Sequence, residues 1–141
     1  MKKLRFLANK LEITDNVIFT GFVEDSDMMR LMKSASAVAY LSYYEGFGIP
    51  VIEGMASGVP TVTTNVSSLK EVAADCCFLC SPDNDKEIAS ALEKAVSCSE
   101  LIKSGDENSL ELQKRALKRA EFFSWENCAK ATIKAYKDIS E

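Results

Sequence analysis

Two carboxylates, Glu45 and Glu53, bracket the stretch Gly46-Phe47-Gly48-Ile49-Pro50-Val51-Ile52. Ile49 precedes a proline and is steered away from the α region. Pro50 suits the first position of a helix, where a missing N–H costs nothing. Gly58 and Pro60 end that helix, which the spacing places over about residues 50–57. The amides near Val51 and Ile52 then lack intrahelical partners. With the helix dipole they favour an anion such as a phosphate. Gly46 and Gly48 allow the backbone to approach a ligand closely. Carboxylates accept hydrogen bonds from hydroxyls, and a sugar or a ribose diol offers two. A ligand with hydroxyls at both ends and phosphate between them, such as a nucleotide sugar, fits this layout.

The same stretch resembles the Glu-x7-Glu motif of the retaining GT-B-fold glycosyltransferases, the large group that takes sugars from nucleotide diphosphate donors. The similarity extends to Val17-Ile18-Phe19-Thr20-Gly21-Phe22-Val23, to Glu71-Val72, to Cys77-Phe78-Leu79-Cys80-Ser81-Pro82, and to Phe123-Ser124-Trp125. The resemblance implies that Glu45 faces the transferred sugar as the catalytic carboxylate and that Glu53 binds the ribose hydroxyls. It implies that Gly46, Phe47 and Gly48 present backbone N–H groups to sugar or phosphate. Ile49, Pro50 and Val51 would lie near the diphosphate, and Gly21, Phe22 and Val23 would border the base. Ser42-Tyr43-Tyr44 departs from the family, which often has Pro-Ser before the first glutamate.

Family members carry two Rossmann-like domains, and this chain resembles only the latter part of the second. The family's Arg and Lys near the diphosphate precede the matching region, and so does the acceptor domain. The implied function is donor binding in an enzyme that transfers a hexosyl group to a glycan or lipid acceptor, with this part inactive alone. The alternative is a non-catalytic Rossmann-like interaction module; a GT-B sugar-nucleotide epimerase fits the motif filling less well.

A chain of 141 residues with 47% hydrophobic content suits one α/β domain. A net charge of -4 argues against nucleic acid as a partner. No apolar run reaches membrane-spanning length, so membrane contact would come through a missing domain. The basic start Met1-Lys2-Lys3 leads into no long apolar region and is not a secretory signal. There is no histidine, which removes the commonest acid/base group and metal ligand. Five cysteines without a leader suggest reduced thiols and a cytoplasmic location. Cys77 and Cys80 form a C-x-x-C, but in a strand that spacing sends the side chains to opposite faces. Nothing completes a zinc site, and no metal or cofactor is expected. The sequon Asn65-Val66-Ser67 carries no meaning in a cytosolic chain.

The positioning elements follow from periodicity. Leu4, Leu7, Ala8 and Leu11 share a helix face. Residues 17–20 read as a strand and 21–25 as a loop. Ser26 is a candidate N-cap, and Met28, Leu31, Met32 and Ala35 line a core-facing helix. Strands are expected at 37–41, 61–63 and 77–80, with a helical turn at 69–73. Asn84 and Glu87 have capping-box spacing ahead of the stripe Ile88, Ala91, Leu92, Ala95 and Val96. A break at 104–106 precedes a helix whose basic face, Lys114, Arg115, Lys118 and Arg119, reads as solvated. Ser124 caps a last helix with Trp125, Cys128, Ala129, Thr132, Ile133 and Tyr136 on one side. Alternating strands and helices predict a mostly parallel sheet of about four strands, a partial Rossmann-like domain. The family resemblance implies that the strands separating 17–20 from 37–41 are missing, so the first is expected to slide in beside the second as a right-handed crossover. Otherwise the missing half or a second copy would cover the open edge. The loops at Gly21, 42–48 and 65–68 all follow strands and should gather at one sheet edge.

Overall fold

The computed structural model describes residues 2–140; Met1 and Glu141 lie outside them. The elements are α1 (Lys2–Lys10), a 3-10 turn (Thr14–Asn16), α2 (Asp25–Ser34), β1 (Val38–Tyr40), α3 (Ile49–Ala56), β2 (Thr61–Thr64), α4 (Ser67–Ala73), β3 (Phe78–Cys80), α5 (Asp85–Ser104), α6 (Glu107–Phe122) and α7 (Trp125–Ser140). The three strands form one parallel sheet in the order β1-β2-β3. Val38 lies opposite Thr61, and Val62 opposite Phe78. The expected α/β architecture is present.

Helices cover both faces of the sheet. On one side Val51 and Met55 of α3, Leu69 and Val72 of α4, and Ala116 and Ala120 of α6 form a single cluster. On the other side Ala91 and Ala95 of α5 pack on Val62 and Cys80. The central strand is buried along its whole length, although three of its four residues are threonines. β-branched residues suit that position, provided each hydroxyl finds an acceptor. Thr61 Oγ1 donates to the carbonyl of Val59 (3.0 Å), Thr63 Oγ1 to that of Tyr40 (2.9 Å) and Thr64 Oγ1 to that of Ser42 (2.6 Å). The last two bonds tie the chain leaving β1 to the central strand beyond the end of the regular ladder.

Local signals are realised where a short stretch contains the whole device. Asn84 Oδ1 accepts from the amides of Lys86 and Glu87, and the Glu87 carboxylate accepts from the Ser81 amide and the Asn84 side chain. Gly105 closes α5 at φ +86°. Asp106 then caps α6 by accepting from the Ser109 amide, and that bond holds its carboxyl below the usual range. Ser124 accepts from the Asn127 amide at the start of α7.

Residues 17–20 form no strand, so the four-stranded sheet with its inserted first strand is corrected to three strands. The reason is visible in the crossover helix. No residue of α2 is buried, and Met28 and Leu31, expected in the core, are exposed. A helix that buries no residue has little packing with which to hold the preceding segment against β1. Ile18 stands 86% exposed, and Phe19 lies under the Arg5 guanidinium of α1 instead. α2 also begins two residues early, after Glu24, without a side-chain cap, so Ser26 is not its N-cap. The apolar stripe of α7 likewise faces outward, and that of α1 buries only Ala8. Leu4, Leu7 and Leu11 are exposed, and Trp125 is 90% exposed.

The basic face of α6 is only partly solvated. Arg115 pairs with Asp75. Arg119 donates to the carbonyls of Val72 (3.1 Å) and Glu71 (2.8 Å), which are the unsatisfied acceptors of the last turn of α4. Its guanidinium also lies 4.6 Å from the Phe123 ring centre.

Cys77 packs against the α3/α6 cluster and Cys80 belongs to the α5 cluster, on opposite sides of the sheet. Burial pushes the Cys77 thiol up to about 12. In the native protein Cys128, which is exposed, should therefore react first with a thiol reagent at mildly alkaline pH, and Cys77 should stay unmodified. The raised value also has a stability consequence. Below the ordinary thiol range the contribution is fully present. It is lost progressively as pH rises from that range to the folded value of about 12, because the unfolded thiol ionises first. Cys77→Ala should flatten the alkaline fall of the denaturation midpoint; an unchanged slope would contradict the burial of this thiol.

Candidate functional site

The loop from β1 to α3 leaves the sheet at its carboxyl edge, the side on which open parallel sheets bind ligands. Glu45, half-buried, is held at three points. Tyr40 Oη donates to Glu45 Oε1 at 2.6 Å, the Glu45 amide donates to Ser67 Oγ at 3.1 Å, and Ser68 Oγ donates to the Glu45 carbonyl at 2.8 Å. Ser68 Oγ also lies 3.0 Å from the Phe47 carbonyl. The Tyr40 phenol is raised above its ordinary range, chiefly by its hydrogen bond to Glu45, then by burial and by the charge of Glu45. The loops at 42–48 and 65–68 thus meet as expected.

Gly48 turns the loop into the helix at φ +105° and packs against Leu69. The helix starts at Ile49, which moves Pro50 to its second residue rather than its first. The Val51 amide is not free: it donates to the Gly48 carbonyl at 3.0 Å. Between Glu45 and Pro50, the amides of Gly46, Phe47, Gly48 and Ile49 find no acceptor among the described residues. Of the two amides that helix geometry alone offers, that of Val51 is taken, and open donors extend back into the loop. The Phe47 ring meets Phe123 edge-on at 5.6 Å and pins the loop to the end of α6.

Glu53, the fifth residue of α3, is exposed, and its carboxylate bonds to no described residue. Gly21, at φ +70°, and Phe22, 87% exposed, belong to the segment that did not join the sheet. Among the described residues no hydrogen bond or ring contact links Gly21, Phe22 or the half-buried Val23 to the Glu45 loop. Conversely, Tyr40, Ser67 and Ser68 are site residues that sequence reasoning did not single out. The polar run 65–68 after a strand was the available signal for the serines. Tyr40 reads only as part of a buried strand, and nothing local shows that the loop returns to its hydroxyl.

A fixed carboxylate, a free carboxylate one helix turn or more away in sequence, and unpaired amides between them suit a ligand rich in hydroxyls and negative charge. The family model for glycosyl transferases group 1 matches residues 1–116. The chain belongs to that family. O-antigen chain mannosyltransferase B of Escherichia coli is 41% identical over 120 residues, covering 84% of this chain and 29% of that protein. The MMP alpha-(1->4)-mannosyltransferase of Mycolicibacterium hassiacum is 33% identical over 135 residues, covering 93% of this chain and 31% of that protein. Sucrose-phosphate synthase from Thermosynechococcus elongatus superposes with a TM-score of 0.80 at 23% identity, over 98% of this chain and 34% of that one. That likeness shows the GT-B fold alone. This group 1 chain thus spans about a third or less of the length of these relatives. Among the described residues no helix is long and apolar enough to cross a membrane.

Proposed function

We propose that this chain is the donor-binding part of a retaining glycosyltransferase that transfers a hexosyl group from a nucleotide-diphosphate sugar to a glycan or lipid acceptor. The names of its relatives favour mannose as that hexose. The observation that carries the reading is the Glu45 carboxylate held in place beside four unpaired loop amides. In this reading Glu45 faces the sugar. Gly46, Phe47, Gly48 and Ile49 direct N–H groups to sugar and phosphate, with Pro50 and Val51 bordering the diphosphate. Glu53 receives the ribose hydroxyls, and Gly21, Phe22 and Val23 border the base. The bond from the anomeric carbon to the diphosphate breaks, a bond to an acceptor oxygen forms on the same sugar face, and the acceptor hydroxyl loses its proton. The acceptor-binding surface and the cations that meet the diphosphate charge come from outside these residues, so this chain alone binds donor but does not turn it over.

Calorimetry tests this. A ribonucleoside diphosphate or its mannose conjugate should bind with a dissociation constant near millimolar, about 4 kcal/mol. Glu53→Ala should erase the preference for the ribose form over its 2′,3′-dideoxy counterpart. Identical binding of both forms by wild type and variant would remove Glu53 from the site.

A further inference from the structure

Glu45 begins a glycine-rich loop, yet its side chain is held by a rigid post. Tyr40 sits at the end of β1 with its ring against the α3/α4/α6 cluster and its carbonyl bonded by the Thr63 hydroxyl. A tyrosine has only two side-chain torsions to fix, so its hydroxyl presents a nearly stationary donor. The 2.6 Å contact with Glu45 Oε1 lies in the range of charge-assisted O–H···O⁻ bonds. The backbone of Glu45 is fixed from the other side by Ser67 and Ser68. Ser67 holds a left-handed φ of +46°, unfavourable for a residue with a β-carbon. Such strain persists where the surroundings impose it, often at functional sites. Here it accompanies the Ser67 Oγ that receives the Glu45 amide.

We propose that Tyr40 is a positioning residue that fixes Glu45 Oε1 and leaves Glu45 Oε2 to receive a hydroxyl of the bound sugar. The proposal rests on the donor-binding reading above and adds to it the residue that orients the carboxylate. Oε2 carries no hydrogen bond to any described residue, so it is the oxygen available to a ligand. Removing the Tyr40 hydroxyl frees the carboxylate to rotate while leaving the ring packing in place. Binding of the sugar part should then weaken, and binding of the nucleotide part should not. The raised phenol of Tyr40 reports the same contact.

Two measurements on the chain test this, with Tyr40→Phe and Glu45→Gln. In a tyrosinate absorbance titration, wild type should show one tyrosine ionising above the others. Glu45→Gln should return that component toward the ordinary value of about 10. Tyr40→Phe should delete the component with an unchanged circular dichroism spectrum. A high-titrating component unmoved by Glu45→Gln would overturn the contact. In calorimetry with a nucleoside-diphosphate mannose and the matching nucleoside diphosphate, Tyr40→Phe should weaken the conjugate about threefold to tenfold, the scale of one hydrogen bond, and leave the diphosphate unchanged. If Glu45→Gln weakens the conjugate and Tyr40→Phe does not, the role of Tyr40 fails and the donor reading stands. If neither variant alters conjugate binding, or wild type does not distinguish conjugate from diphosphate, the role of Glu45 at the sugar fails, and the role of Tyr40 with it.

Discussion

Gly48→Ala should destabilise the chain by about 3 kcal/mol, the sum of a backbone and a packing cost. The residue occupies φ +105°, where a β-carbon collides with its own backbone. That β-carbon would also lie 2.5 Å from Leu69 Cδ2. Leu69 is completely buried in the cluster with Val51 and Met55, so turning its side chain away disturbs that packing. Part of the strain is expected to pass into α4. α4 carries Ser67 and Ser68 at its start, so the same strain loosens the hold on Glu45. The urea midpoint should fall, and the high-titrating tyrosine should move toward the ordinary range. A variant within about 0.5 kcal/mol of wild type would mean that the loop relaxes independently of α4.

The second large effect is expected at Gly54→Val, also on the order of 3 kcal/mol, through overpacking between α3 and the sheet. A β-carbon at Gly54 would stand 2.6 Å from Thr61 Oγ1, 3.1 Å from Thr61 Cγ2 and 3.2 Å from Val38 Cγ1. Thr61 is 1% exposed and its hydroxyl is committed to the Val59 carbonyl, so it cannot rotate away. Helix propensity argues the opposite way, since a glycine inside a helix is worse than alanine by about 1 kcal/mol. Gly54→Ala therefore decides between the two effects. A loss of stability means that contact with β2 dominates; a gain would show that the helix lifts off the sheet at little cost. Gly46→Ala is the control. A β-carbon there meets nothing within 4 Å, and the change should stay within about 0.5 kcal/mol.

The sequence alone was enough for most devices that close within a few residues, the N-cap expected at Ser26 being the exception. The Gly48-Ile49-Pro50 helix start, the Asn84–Glu87 cap, the Gly105-Asp106 break and the opposite facing of Cys77 and Cys80 all appear within a residue or so of expectation. Each is decided by torsions and hydrogen bonds inside one turn of chain. The two glutamates and the family resemblance were legible for the same reason, being patterns of nearby residues.

Residues 17–20 have the composition of a strand, but a strand exists only when a neighbour supplies its ladder, and α2 buries no residue that would anchor one there. The stripes on α1, α2 and α7 told that a face is apolar, not what would cover it. Arg119 looked like one of four solvated cations until α6 was laid against the open carbonyls of α4. Tyr40 reaches Glu45 because the Thr63 and Thr64 hydroxyls pull the departing chain onto β2, bonds between residues more than twenty apart. Such contacts depend on how elements dock, and docking is set by the summed packing of the core rather than by any local spacing. The tertiary structure therefore decided which carboxylate is held and which amides remain open.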